Sequence, residues 1–215
     1  INYFKTDTNL CKALTLKLAR IINNKNVISR IPTIALSGGN TPEKFYTFLF
    51  NTNLFKKKTR ILLADERIVS DTHPKRNSNL IKSKLINNRK NIIIRELNHL
   101  NFSEDKNIYN YNPLELIVLG MGLDGHLASI FTEKKIDKKY SNFRFRNLEV
   151  IKKRNESFKR ISLSLDIINN SRVRILYIKG AKKIELLKKI IKNNIDDYPI
   201  SKILQKKLTV YWSPN

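Results

Sequence analysis

Four short apolar runs in this chain, "TIAL" (33–36), "RILLA" (60–64), "LELIVLG" (114–120) and "VRILYIKG" (173–180), each end at glycine or at a cluster of charge. Apolar runs of about four to eight residues, bounded in this way, read as strands buried on both faces, the kind a parallel sheet needs. The segments between them have a helical period. Leu10, Leu14, Leu18 and Ile21 recur within a helix expected over 7–23, and residues 78–86 and 181–193 also read as helices. Pro42 at a first helical position, with Thr41 as its N-cap, predicts another helix running to about Phe50. Further strands are expected at "NIIIREL" (91–97), at "RISLSL" (160–165), and at "LTVYW" (208–212), which should close the sheet; a helix is expected from Leu127 onward. Strands alternating with helices define the α/β class, with a mostly parallel sheet covered on both faces.

A length of 215 residues suits a single domain spanning 1–215. Only the lysine- and asparagine-rich stretch 133–159 reads as a loosely ordered insertion. No stretch approaches the roughly 18 consecutive apolar residues of a membrane span, and no signal-peptide core is visible, so a cytoplasmic protein without a membrane partner is expected. The one cysteine, Cys11, leaves no internal disulfide framework, and its place on the helical period assigns it to packing or surface. Lys and Arg number 42 against 18 Asp and Glu, a net charge of +24. That excess is spread along the whole chain, with no basic strand interleaved with aromatics. It reads as solvated surface able to attract small anions and points to no specific nucleic acid. The sequence says nothing about oligomeric partners.

In an open parallel sheet, ligands bind beyond the carboxyl ends of the strands, where loops and helix N-termini converge. Four motifs fall there: "SGGNTP" (37–42), "DER" (65–67), "GMGLDGH" (120–126) and "KGAKK" (179–183). Gly38 and Gly39, with the hydroxyls of Ser37 and Thr41 and a helix N-terminus behind them, suit a phosphate cradle; no Gly-Lys-Ser/Thr follows, so it is not a Walker loop. Asp65 or Glu66 with Arg67 would alone read as a surface ion pair, but at a strand end beside a phosphate cradle Arg67 is a bidentate partner for phosphate oxygens. Arg160 and Lys183 admit an ordinary surface reading beside a ligand-binding one.

Of the three histidines, His73, His99 and His126, the last stands in the glycine-rich turn and is the candidate general base. His73 lies in a loop that could line the pocket, and His99 is assigned no role. Asp124, two residues before His126, would orient the imidazole and stabilise its charged form. The spacing of histidines and carboxylates suggests no metal.

In order and spacing, "LSGGNTP", "ADERIV" with "NSNL" downstream, "LGMGLDGHLASIF", "RISLSL" and "GAKK" resemble the 6-phosphogluconolactonase family over about Ile31 to Leu187. A weaker match continues in "YPISKIL" and "LTVYW". The resemblance implies a Rossmann-like three-layer α/β/α sandwich, and hydrolysis of 6-phospho-D-glucono-1,5-lactone to 6-phosphogluconate without a cofactor. By similarity Ser37, Gly38, Gly39, Thr41, Asp65, Arg67, Gly122, Arg160 and Lys183 would bind this sugar-phosphate lactone, with His126 and Asp124 catalytic. Oxyanion donors are sought among the backbone N–H groups of 120–125 or a nearby arginine. The related glucosamine-6-phosphate deaminases are a second reading, and a non-catalytic sugar-phosphate binder is a third. The deaminases place a glutamate five residues after the histidine, where this chain has Phe131. The chain departs from the lactonase pattern at Asn40, where serine is frequent, and at Thr132, where proline is usual.

Overall fold

The computed structural model describes residues 1–24, 31–39, 41–52, 55–86, 90–97, 113–140, 143–145 and 148–214; Asn40 and His99 lie outside them. The first half contains β1 (Asn2–Tyr3), α1 (Asp7–Ile22), β2 (Thr33–Leu36), α2 (Glu43–Asn51), β3 (Thr59–Leu63), β4 (Asp65–Ile68), α3 (Asn77–Ile81), a π-helical turn (Lys82–Ile86) and β5 (Ile92–Arg95). After it come β6 (Leu116–Leu119), two 3-10 turns (Glu133–Lys135 and Lys138–Tyr140), β7 (Phe143–Phe145), β8 (Leu148–Ile151) and β9 (Lys159–Leu163). The chain continues through α4 (Leu165–Asn170), β10 (Arg174–Lys179), α5 (Ala181–Lys192), α6 (Ser201–Leu204) and β11 (Thr209–Ser213).

Among the described residues, seven strands form one sheet in the order β1-β11-β10-β6-β2-β3-β5, and every pairing in it is parallel. α1 packs with α2, and α2 with the 82–86 turn, while α4 and α5 each pack on α6. With helices layered on the sheet this is the Rossmann-like α/β/α sandwich expected. Strands β2 and β6 are buried at every position, which explains why they read as unbroken apolar runs. Helix α1 turns Leu10, Leu14 and Leu18 fully inward, each burial stabilising the fold by roughly 2 kcal/mol. Thr6 caps it by accepting from the Asn9 N–H at 3.2 Å. Cys11 is fully buried on the same face.

Several expectations are corrected. The strand expected at 60–64 is β3, but the "DER" that should follow it as a turn is itself a strand: the chain leaves the main sheet after Leu63, and β4 enters a second, antiparallel sheet ordered β4-β9-β8-β7. The alternating strand near 160–165 is β9 of that second sheet, and its polar positions Arg160 and Ser162 are buried along with the apolar Ile161 and Leu163. The stretch 133–159 is ordered where it is described, since β8 pairs with β9 and the Asp137 N–H donates to Lys152 O at 2.8 Å. No helix follows Leu127; Leu127 and Ile130 bridge to each other around Ala128, whose φ of 47° takes it out of helical geometry. Strand β11 does not close the sheet, because β1 pairs outside it. Thr41 makes no cap: Pro42 occupies the N-cap position, and its carbonyl accepts the Tyr46 N–H at 3.0 Å. The helix expected over 78–86 is α3, which widens into the π-helical turn after Ile81.

The strand order places the future site. From β2 the chain steps through β3 to β5 in one direction, then from β6 through β10 to β11 in the other. The reversal falls between β2 and β6, at the crevice where α/β sheets bind ligands. Ser37 sits in it, donating its N–H to Val118 O at 3.2 Å.

Candidate active site

Above that crevice lies a cleft of about 220 Å³. Its lining includes every residue expected to bind the ligand: Ser37, Gly38, Gly39, Thr41, Asp65, Arg67, Gly122, Arg160 and Lys183. His126 lines it as well, and Asp124 stands behind His126. His73 does not line the cleft; its Nδ1 accepts the Lys75 N–H at 3.1 Å.

The cationic wall comes from the second sheet. Arg67 on β4 and Arg160 on β9 are direct cross-strand partners. Like charges in that register repel. Carboxylates partly offset the repulsion: Glu156 takes Arg160 Nε and Nη2 at 2.8 Å each, and Asp65 Oδ2 lies 3.9 Å from Arg160 Nη1. Arg160 is only 9% exposed, so the surface reading of this residue is corrected; it sits over the rings of Phe131 and Phe158. Arg67 Nη1 donates to Asn77 Oδ1 at 2.9 Å, while its buried Nε has no hydrogen-bond partner. Burial pulls the Arg67 guanidinium below its usual pKa; Asp65 opposes this and Arg160 adds to it.

Arg67 is positioned by its neighbour's buried carboxylate, which takes backbone N–H groups in place of a surface ion pair. Glu66, 1% exposed, accepts the N–H groups of Arg67, Asn77 and Ser78, each at 2.7 Å. Burial pushes this carboxyl up, and the three backbone donors counter it in part. Asn77 in turn abuts Gly38, where a Cβ would come within 1.9 Å of Asn77 Oδ1. Asp65 is 6% exposed and accepts from Ser129 Oγ at 2.6 Å, so it faces the cleft already engaged. The Ser37 hydroxyl likewise donates to Val118 O at 3.2 Å.

Lys183 lies in the first turn of α5, after Gly180 at φ 84°. It makes no ion pair among the described residues, whereas its neighbour Lys179 is bound to Asp7 Oδ2 at 3.0 Å. Burial, aided by Lys179, lowers the Lys183 pKa.

His126 comes from the turn after β6. His126 Nδ1 is 2.5 Å from Asp124 Oδ1, and Lys135 Nζ is 2.7 Å from Asp124 Oδ2. Burial pushes the Asp124 carboxyl up, but the hydrogen bonds and charges of Lys135 and His126 outweigh it and hold the group well below the usual carboxylate range. The turn is closed by the Gly122 N–H donating to His126 O at 3.0 Å and the Gly125 N–H to Gly122 O at 3.1 Å. Those two N–H groups are therefore committed within the turn. Phe131 packs against the imidazole with ring centroids 4.7 Å apart.

Asn77 lines the cleft, and Lys135 and Glu156 bond Asp124 and Arg160, without being among the residues singled out from sequence. "NSNL" was a usable signal for Asn77; Lys135 and Glu156 were hidden in the lysine-rich stretch.

Fold and cleft together define a Rossmann-like α/β protein that presents cations and an Asp–His pair above the switch point of its sheet. The family model described as "Glucosamine-6-phosphate isomerases/6-phosphogluconolactonase" matches residues 5–212, and the chain belongs to that family. A 6-phosphogluconolactonase of Helicobacter pylori (strain ATCC 700392 / 26695) is 31% identical over 215 residues, covering 95% of this chain and 93% of the relative. One from Neisseria meningitidis serogroup A is 29% identical, covering 80% of this chain and 79% of the relative. The crystal structure of a 6-phosphogluconolactonase from Shewanella baltica OS155 superposes with a TM-score of 0.83 at 26% identity, covering 99% and 96% of the two chains. Among the described residues no helix is long and apolar enough to cross a membrane.

Proposed function

We propose that this chain hydrolyses 6-phospho-D-glucono-1,5-lactone to 6-phosphogluconate, a step of the oxidative pentose phosphate pathway, in the cytoplasm and without a cofactor. The observation that supports this most is the sharing of one cleft by two unlike groups: an imidazole oriented by a carboxylate, and cations of which Arg67 keeps an unpaired Nε and Lys183 makes no ion pair among the described residues. Two arginines placed opposite each other on neighbouring strands are a costly arrangement for an empty site and a favourable one for a phosphate.

In this mechanism the phosphate sits among Gly38, Gly39, Thr41, Arg67, Arg160 and Lys183. His126 Nδ1–H donates to Asp124, which leaves the Nε2 lone pair to take a proton from water. The hydroxide adds to the lactone carbonyl carbon, and its oxygen carries the developing charge. When the ring C–O bond breaks, the imidazolium returns its proton to the departing ring oxygen, which becomes a hydroxyl of the open acid; the new carboxylic acid then ionises. Asp124 stays charged throughout, stabilising the imidazolium. The Gly122 and Gly125 N–H groups are committed inside the turn and so are not the donors that steady the oxyanion.

The deaminase reading is disfavoured by Phe131. This residue is 5% exposed against the imidazole and offers no proton to shuttle for sugar ring opening. A binder that has lost catalysis is disfavoured by the intact Asp124–His126 pair. The test is acid release from freshly prepared 6-phosphogluconolactone. Purified protein should exceed the spontaneous rate, and His126→Ala should return it to that rate while still binding 6-phosphogluconate. A wild-type rate equal to buffer alone refutes the lactonase, and full activity in His126→Ala moves the base elsewhere.

A further inference from the structure

Resting on the assignment of His126 as the base, we propose that Lys135 is a positioning residue of the same reaction, pinning the carboxylate of Asp124 so that it fixes the imidazole. The two carboxylate oxygens are divided: Oδ1 bonds His126 Nδ1 at 2.5 Å and Oδ2 bonds Lys135 Nζ at 2.7 Å. A carboxylate held by one oxygen can still swing about its χ2 axis, and a second bond on the other oxygen fixes its plane.

Lys135 is itself anchored, as a positioning residue must be. Its N–H donates to Thr132 O at 2.9 Å, and its carbonyl accepts the Arg154 N–H at 2.9 Å. Ile136 bridges Lys153 on the next residue, and Arg154 Nε donates to Ile136 O at 3.0 Å. These bonds tie the 133–135 turn to the approach to β9, the strand that carries Arg160. Lys134, beside it, makes no ion pair among the described residues, so the contact is specific to one lysine in a lysine-rich segment.

Lys135 also bears on the protonation of the base. Around His126 stand Asp124 from its own turn, Lys135 from the 3-10 turn, and Lys153 and Arg160 over the Phe131 ring that packs on the imidazole. Asp65, Arg67 and Lys183 line the same cleft. Of these cations, Lys135 is the one bonded to the carboxylate that would stabilise an imidazolium. Removing its charge leaves Asp124 to favour the protonated imidazole alone, and a protonated imidazole cannot act as the base.

The experiment compares wild type, Lys135→Met and Lys135→Arg by two readouts: the pH profile of kcat/KM, and an NMR titration of the His126 imidazole, assigned by its loss in His126→Ala. Lys135→Met should raise the midpoint of the acid limb and of the NMR titration together by about one unit, and lower kcat/KM about tenfold on the acid side. Lys135→Arg, which keeps the charge, should restore both midpoints. Unmoved midpoints in Lys135→Met, or an arginine variant no better than the methionine one, overturn the proposal. The NMR readout needs no turnover, so it tests Lys135 even if the lactone assay fails. Conversely, an active enzyme that loses activity in His126→Ala but ignores Lys135→Met refutes Lys135 alone.

Discussion

Gly122 lies directly against the His126 ring: a Cβ at Gly122 would stand 2.1 Å from His126 Nδ1 and 2.5 Å from Asp124 Oδ1. The glycine contributes an absence of volume that the Asp–His pair occupies. Gly122→Ala should therefore force the pair apart and lower kcat/KM for the lactone by about a hundredfold, because small misplacements of a catalytic group have large kinetic costs. Thermal melting should move far less than the rate. Wild-type turnover in this variant would mean the pair can relocate without penalty.

Asn77 links the glycine cradle to the cationic wall. It accepts from Arg67 Nη1 at 2.9 Å and donates its Nδ2 to Asp65 O at 2.9 Å. Loss of one hydrogen bond to a charged group is worth roughly 1.5 to 3 kcal/mol. Asn77→Ala should raise KM for the phosphorylated lactone about tenfold and leave unphosphorylated gluconolactone little changed, and Arg67→Ala should show the same selectivity more strongly. An equal loss for both substrates would place the phosphate away from Arg67.

Asp124 also makes stability depend on pH. Its folded carboxyl titrates below its ordinary value of 3.8. The stabilisation from its pairs is therefore fully present above that value and is lost as pH falls through the folded one. Asp124→Asn removes this contribution. The gap in melting temperature between wild type and the variant should be fully developed above about pH 4 and should narrow on acidification below it. A gap that stays constant into acid would show that the ion pair adds nothing to folding.

Cys11 should be chemically silent. It is fully buried, and burial pushes its thiol up to about 11, with the Tyr177 hydroxyl opposing the shift. Because the thiolate is the reactive form, a disulfide reagent such as DTNB at about pH 8 should label the protein only after denaturant is added. Rapid labelling of the native protein would contradict this burial.

The main sheet could be read from sequence because its central strands obey a local rule. Buried strands such as Thr33–Leu36 and Leu116–Leu119 are apolar at nearly every position and stop where the backbone must turn. The site motifs were legible for the same reason: each follows one of these strands directly. What was not legible depends on partners distant in sequence. Nothing local in "LLADER" says that the chain changes sheets after Leu63, since that is fixed by β9 pairing with Asp65–Ile68 almost a hundred residues later in the chain. "HLASIF" has an ambiguous period, and its actual course follows from Ala128 adopting φ 47°. Lys135 and Glu156 looked like their many charged neighbours, and only the bonds to Asp124 and Arg160 distinguish them.

The passage from β3 to β4 takes a single residue, Ala64, fully buried, with its N–H on Leu36 O at 2.8 Å and its carbonyl on the Leu163 N–H at 2.9 Å. The imidazole belongs to the sheet before this residue and the two arginines to the sheet after it. In the proposed reaction this one-residue splice therefore helps to set how far the two arginines stand from the imidazole.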